Sequence, residues 1–198
     1  MIRAIARPLA GAIALLLTAV TLGACVGPVE RTGIAATVER VPNGNTLEIQ
    51  PIGTLRSPPT EPGSLGLGTG DRPAPPQGRE RVRLLGIDAP DLRQNPWGVQ
   101  AQQALADRVA GQQVWLEFDE APRDRFGRLL AYVWHGEVLI NEQLLADGHA
   151  IISDRTLGLK YADRLHHAQS RARLLEVGLW DPAKPLRLSP AAFRTQNP

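Results

Sequence analysis

The sequence is short of features that would narrow its function at once. It has a single cysteine, Cys25, so no disulfide can form within the chain. Its four histidines show no spacing typical of a metal site. It also has no excess of positive charge once the residues before Cys25 are set aside. The 22 Lys and Arg face 20 Asp and Glu, and the only charges before Cys25 are those of Arg3 and Arg7. From Cys25 onward the chain is neutral, so affinity for a polyanion requires a local basic cluster.

One long apolar run, residues 9–22, follows the basic start and leads into Leu-Gly-Ala before Cys25. This pattern resembles a bacterial lipoprotein signal. We therefore expect residues 1–24 to be removed, Cys25 to be lipidated, and the protein to be tethered to the cell envelope after secretion across the cytoplasmic membrane. Two alternatives stay open, an ordinary secretory signal and an uncleaved anchor, although the run is short for a membrane span. Residues 25–33 form a polar spacer.

Proline and glycine crowd residues 51–80, which contain few large apolar side chains. Such a segment cannot bury enough surface to order itself. We predict a long loop inserted between two strands. A ligand for a proline-recognising partner is the alternative.

The remaining chain alternates between strand and helix patterns. A hairpin is predicted at Asn43-Gly44, because both residues tolerate positive φ. The predicted strands are residues 34–41, 46–50, 81–87, 114–118 and 129–134. The predicted helices are residues 99–110, 140–146 and 162–177, the last stopped by Gly178, with a loose tail over residues 183–198. Five strands with three helices predict an α+β fold built on a small five-stranded OB-type barrel.

Two basic turns carry the candidate chemistry. The first stretch, residues 81–91, reads RVRLLGIDAPD, and the second, residues 124–128, reads DRFGR. Guanidinium groups bind phosphate oxygens in a fork, while carboxylates hold a hard cation or take a proton from water. If the two turns meet in one cleft, they would suit phosphate chemistry.

Several motifs in this order resemble the staphylococcal nuclease (thermonuclease) family. They are VRLLGIDAP at residues 82–90, EFD at 117–119, DRFGRLLAY at 124–132, Asn141-Glu142, and the late Gly-Leu-Trp. The resemblance covers roughly residues 34–180, and the domain is predicted over residues 34–182 with the insertion of residues 51–80 inside it. It implies a calcium-dependent phosphodiesterase acting on DNA and RNA.

The resemblance also implies roles for individual residues. Arg83 and Arg128 match the two phosphate-binding arginines, and Asp91 stands in the place of the general-base glutamate. Asp88, the backbone carbonyl of Ala89, and Asn45 match the calcium ligands. Arg125 and Phe126 are candidates for substrate contacts beside the cleft. Asp119 and Asp124 are expected to be structural caps.

Two positions depart from the family pattern. Asn45 replaces a calcium-binding aspartate and so removes one negative charge, which predicts weaker calcium binding. Asp91 is one methylene shorter than glutamate, and a displacement of about 1 Å at a reacting group can cost on the order of a hundredfold in rate. Reduced activity or the use of another divalent cation is therefore expected.

Two functions of different classes follow. The first is a monomeric, envelope-tethered endonuclease acting outside the cytoplasm. The second is a catalytically degenerate module that uses the same fold to bind nucleic acid or an envelope protein.

Overall fold

A computed structural model describes residues 33–52, 78–154, 156 and 158–198, without the side chains of residues 120–122. The strands are β1 (Gly33–Asn43), β2 (Thr46–Pro51), β3 (Glu80–Leu84), β4 (Ile87–Asp88), β5 (Gln113–Arg123), β6 (Leu129–His135), β7 (Val138–Leu139) and β8 (Ile151–Ile152). The helices are α1 (Trp97–Val109), α2 (Ile140–Ala146), α3 (Ala162–Leu174) and α4 (Pro190–Gln196), with a short 3-10 helix at Gly178–Trp180. The predicted leader, Cys25, the spacer up to residue 32, and residues 53–77 of the insertion lie outside the described residues.

Five strands close into a barrel. Strand β1 pairs antiparallel with β2 on one side and with β5 on the other. Strand β2 in turn pairs antiparallel with β3, and β5 pairs antiparallel with β6. A parallel pairing of β3 with β6, with Arg83 opposite Leu130, closes the circle. The predicted α+β fold on an OB-type barrel is confirmed, but the described residues include four helices rather than three.

The barrel interior and the space under the helices form one apolar core. In β2, Leu47 and Ile49 are fully buried while Glu48 between them is not, as alternation along a strand requires. Leu105 of α1, Leu144 of α2 and Leu165 of α3 are also fully buried. The helices therefore cover the barrel with single apolar faces. Within the described part of the chain, no helix has the length and apolar character that spanning a membrane requires.

The first hairpin is confirmed, but for a different reason from the predicted one. Its two loop residues are Gly44 and Asn45, flanked by the pair Asn43 and Thr46. Neither Asn43 nor Gly44 is among the described residues with positive φ. A Cβ on Gly44 would lie 2.6 Å from the Cβ of Ala101 and 2.8 Å from that of Ala89. Glycine is required here by the close approach of α1 and of the turn after β4.

The predicted strand over residues 81–87 is wrong in one respect, because it breaks at Gly86. This glycine has φ +74°, and a Cβ there would lie 2.5 Å from Leu165 Cδ1. Beyond it, β4 leaves the barrel and pairs with β8, with Asp88 opposite Ile151. The break lets the backbone at Asp88 pair with the residues that follow α2 instead of continuing β3.

The C-terminal part of the chain also differs from the prediction. Helix α3 ends at Leu174, and Glu176, with φ +55°, makes the turn that was assigned to Gly178. The expected loose tail contains α4, whose first turn is capped by the Ser189 hydroxyl accepting from the Ala192 N–H at 3.2 Å. Proline at the first helical position, as in Pro190, is typical of a helix start.

We predict that Asn141→Ala destabilises the fold and loosens the site. The fully buried Asn141 amide donates to the Leu85 carbonyl at 2.9 Å and accepts from the Val133 N–H at 2.9 Å. It therefore ties the end of β3 to β6. Leaving both backbone groups unpaired should lower the free energy of unfolding by about 2–4 kcal/mol, measured by urea denaturation. Gln143→Ala, on the same helix but away from these groups, is the control; equal losses in the two variants would contradict the assignment.

We predict that the half-buried His149 makes stability depend on pH. Burial and the nearby Arg108 charge lower the pKa of His149, so the folded state favours the neutral imidazole. The unfolded chain takes up a proton near its ordinary pKa of about 6.5. The stabilisation is therefore complete above that pH and is lost as pH falls toward the lower folded value. His149→Gln should reduce the fall in Tm between about pH 7 and about pH 5, with the exposed His167→Gln as control. An unchanged fall would contradict the prediction.

Candidate active site

A single open cleft of about 1150 Å³ brings the predicted site residues together. It lies where β3, β4 and the turn before β6 end, and α4 forms part of its wall. All eight candidate site residues of the described chain line it: Asn45, Arg83, Asp88, Ala89, Asp91, Arg125, Phe126 and Arg128.

The barrel closure explains how the two arginines reach one cleft. Arg83 lies in β3, and Arg128 directly precedes Leu129, which pairs with Val82. The parallel pairing therefore puts Arg83 and the start of β6 side by side at one end of the barrel. Arg83 and Arg128 are more than forty positions apart in sequence, and both line the same cleft.

Asp88 is the most enclosed charge of the site, with its side chain 7 % exposed. Its Oδ1 accepts from Arg83 Nη2 at 2.8 Å and from Asn45 Nδ2 at 3.2 Å. Its Oδ2 accepts from Arg194 Nη2 at 2.5 Å. Arg83 is held further by a 3.3 Å bond to the Ile87 carbonyl. Arg83 is therefore held by an ion pair with the buried acid of its own site.

Arg128 is positioned by Asp124 at the start of the same turn. Asp124 Oδ1 accepts from the Phe126 and Arg128 N–H groups, and its Oδ2 accepts from Arg128 Nε at 2.8 Å. Burial alone would raise the pKa of Asp124, but the bonds from Arg128 and Phe126 lower it below the ordinary value. The carboxylate is therefore ionised at neutral pH and holds the Arg128 guanidinium at the cleft. Asp124 is a structural cap, as predicted.

Asp91 is clamped by its neighbour Arg93. Oδ1 accepts from the Arg93 backbone N–H and from Nε, both at 2.9 Å, and Oδ2 accepts from Nη2 at 3.2 Å. The hydrogen bonds from the Arg93 side chain and backbone lower the pKa of Asp91. Asp91 is thus ionised at neutral pH, but it is a weaker base than a free carboxylate.

An exposed aromatic ring lies at the cleft mouth. Phe126 is 68 % exposed, with the Arg125 guanidinium 4.7 Å and that of Arg128 5.4 Å from its ring centre. Both distances are typical of cation–π contacts. A large exposed ring between two cations offers a flat face beside the phosphate-binding groups.

Sequence reasoning missed Arg93 and Arg194, the two arginines that bind the carboxylates of the site. The Ser189-Pro190 pair was an available signal for α4. No local pattern signals that α4 docks here, because its contacts come from far along the chain. Gln94 Nε2 donates to the Leu188 carbonyl at 2.9 Å, and Arg93 Nη2 donates to the Asn197 carbonyl at 2.9 Å.

The three expected ligands do not fit calcium as they are arranged. Calcium takes six to eight oxygen ligands, whereas Asp88 is the sole carboxylate among them. Both of its oxygens face nitrogen donors, and Asn45 turns its amide nitrogen rather than its oxygen toward Asp88. Among the residues that the structure describes, no three His, Cys, Asp or Glu side chains cluster closely enough to hold a metal ion.

The sequence of this chain is similar to those of known proteins. The profile of the family described as staphylococcal nuclease homologue matches residues 81–182. The thermonucleases of Staphylococcus hyicus and Staphylococcus intermedius are 34 % and 35 % identical over 107 residues, covering 52 % of this chain and 63 % and 64 % of theirs. Endonuclease YncB of Bacillus subtilis (strain 168) is 29 % identical over 109 residues, which is 52 % of each chain.

The chain thus spans less than two thirds of the length of the two thermonucleases. The family profile nevertheless covers just over half of this chain and includes both basic turns. The closed barrel and the converging arginines agree with it. The chain belongs to the staphylococcal nuclease family.

Proposed function

We propose that this protein hydrolyses phosphodiester bonds in DNA or RNA. The observation that carries the proposal is the meeting of Arg83 and Arg128 with Asp88 and Asp91 in one open cleft. The family relatives named thermonuclease and endonuclease support it. Since the chain is neutral beyond Cys25, this cluster is the local source of attraction for a polyanion.

The arginines act on the phosphate. Arg83 and Arg128 each present a planar fork of N–H donors that matches two phosphate oxygens. Both side chains are largely enclosed, at 20 % and 27 % exposed, and are held by Asp88 and Asp124. Donors fixed in advance stabilise the charge that develops on phosphate oxygens in the transition state.

Asp91 is the base that this geometry offers. A carboxylate has about four lone-pair sites, and Arg93 occupies two on Oδ1 and one on Oδ2. The remaining lone-pair site on Oδ2 can accept a proton from a water molecule while the oxygen of that water forms a bond to phosphorus. The bond to the leaving sugar oxygen then breaks, and that oxygen takes a proton from solvent. Arg93 lowers the basicity of Asp91, which together with its short side chain predicts slow turnover.

Phe126 and Arg125 are proposed to contact the substrate beside the scissile phosphate. The exposed Phe126 ring can stack on a base without reading its identity, and the exposed Arg125 can bind an adjacent phosphate. Cleavage of many sequences is the expected consequence.

A second candidate function is binding without catalysis, to nucleic acid or to an envelope protein. It is favoured by two specific observations, the nitrogen donors around Asp88 and the bonds from Arg93 to Asp91. Each carboxylate already accepts three hydrogen bonds within the protein. A phosphate held by the arginines could then be bound and not cleaved.

We also propose that the domain works at the cell envelope, as a monomer tethered through a lipid on Cys25. The support is the sequence alone: Arg3 and Arg7, the apolar run of residues 9–22, and the small residues before Cys25. Calcium dependence, which the family resemblance implies, is proposed to be weak or absent, because the ligand arrangement described above does not fit the ion.

We predict that Arg128→Ala lowers cleavage of single-stranded and double-stranded DNA and of RNA by at least about a hundredfold, because it removes a donor to the transition state. The measurement is the initial rate with calcium, with magnesium and with chelator. Arg171→Ala, an exposed arginine on α3, is the matched control. Full activity in the Arg128 variant would remove the mechanism.

We predict that Asn45→Asp, Asp91→Glu and Arg194→Ala together raise calcium-stimulated cleavage above that of the wild type. The first change adds a carboxylate beside Asp88, the second restores the reach of the base, and the third frees Asp88 from a guanidinium. Asp107→Glu, an exposed residue of α1, is the control. A folded triple variant with no gain under any divalent cation would favour the binding module over the enzyme.

A further inference from the structure

The C-terminal helix α4 places a guanidinium where the family resemblance expects a metal ion. Arg194 Nη2 lies 2.5 Å from Asp88 Oδ2, on the carboxylate that was predicted to ligate calcium. Arg194 also lines the cleft beside Arg83 and the Asp91 turn. Its side chain is 43 % exposed, so a phosphate in the cleft can reach its other N–H groups.

The charge at this position matches a guanidinium better than a divalent cation. With an aspartate at position 45, two carboxylates would face each other and would need a cation of charge two between them. Asn45 instead donates directly to Asp88 at 3.2 Å, and its own oxygen is 3.3 Å from the Thr46 hydroxyl. One negative charge remains, and the single charges of Arg83 and Arg194 surround it.

The arginine is delivered by a docked helix and not by a loose end. Besides the bonds from Arg93 and Gln94 to the backbone on either side of α4, the Arg93 guanidinium lies 5.5 Å from the Phe193 ring centre. Pro190 at the helix start is buried. Arg93 thus contacts both Asp91 and α4, which links the second carboxylate of the site to the same helix.

We propose that Arg194 is the resident cation of this site: it takes the place of calcium on Asp88 and serves as a third arginine for the substrate phosphate. This deepens the proposed function and rests on the phosphate-binding part of it. The site then binds nucleic acid without a divalent cation. The alternative is that α4 is a plug, which means that it blocks the cleft and competes with substrate. Oligonucleotide binding by Arg194→Ala distinguishes the two.

The first experiment measures calcium binding, independent of cleavage. Thermal unfolding of the purified protein is followed with chelator and with millimolar calcium. We expect no calcium-dependent shift in Tm for the wild type. Asn45→Asp combined with Arg194→Ala should gain a shift, because it supplies a second carboxylate and vacates the cation position. A wild-type shift that Asp88→Asn abolishes would overturn the proposal.

The second experiment measures binding of a fluorescent single-stranded oligonucleotide in chelator by anisotropy. Arg194→Ala should weaken binding by about tenfold to a hundredfold, since it removes charge-assisted bonds to phosphate. The slope of log K against log salt should fall by about 0.7, the value for one phosphate contact on a single strand. Arg194→Lys keeps the charge but not the fork, and it should lie between wild type and Arg194→Ala.

Arg187→Ala is the matched control, because it removes an exposed arginine from the same C-terminal segment outside this cleft. Binding as in the wild type is expected for it. Tighter oligonucleotide binding by Arg194→Ala would show that α4 is a plug, and binding equal to that of the control would show that Arg194 does not touch phosphate. Either result overturns the proposal. If neither the wild type nor any variant cleaves nucleic acid, but oligonucleotide binding is as expected, the proposed hydrolase activity is contradicted and the proposal for Arg194 is not.

Discussion

The structure depends on how one buried carboxylate is neutralised. Asp88 is nearly inaccessible to water, and a buried charge is tolerated only when it is paired and hydrogen-bonded. Its partners come from three distant parts of the chain: the first hairpin, strand β3 and helix α4. Folding must therefore bring all three together to satisfy a single group. Asp88 therefore contributes both to the charge of the cleft and to the contacts among these three parts of the chain.

This arrangement connects the chemistry of the site to its departure from the family pattern. An amide at position 45 can donate to Asp88 where a carboxylate would repel it. In this structure the charge of Asp88 is balanced by the guanidiniums of Arg83 and Arg194. Arg125 and Arg128 add further positive charge along the same cleft.

Much of the fold could be predicted from local patterns. Alternation marked β2, and an apolar run marked β6. The glycines at positions 111, 136 and 148, each with positive φ, follow the ends of α1, β6 and α2. The two basic turns were recognisable as motifs, and the barrel brings them together as the resemblance implied. Strands β4, β7 and β8 were missed as separate elements because two residues are too short to show a period. The continuous apolar run up to Ile87 also hid the break at Gly86.

What could not be predicted depends on contacts between distant residues. Nothing near Arg194 in the sequence reveals a partner 106 positions away, and Arg93 resembles any exposed arginine until α4 is seen against it. The glycine at position 44 was predicted to serve a turn conformation, whereas its role is to admit a neighbouring helix. A local pattern reports backbone preference, but close approach and ion pairing are properties of the assembled fold.

The wedge of Gly44 between Ala89 and Ala101 has a mechanical consequence. With no side chain to act as a spacer, the hairpin tip packs directly on the turn after β4 and on helix α1, which keeps Asn45 beside Asp88. Any side chain at position 44 would press against Ala89 and Ala101, and would so disturb the site from a position that itself carries no functional group.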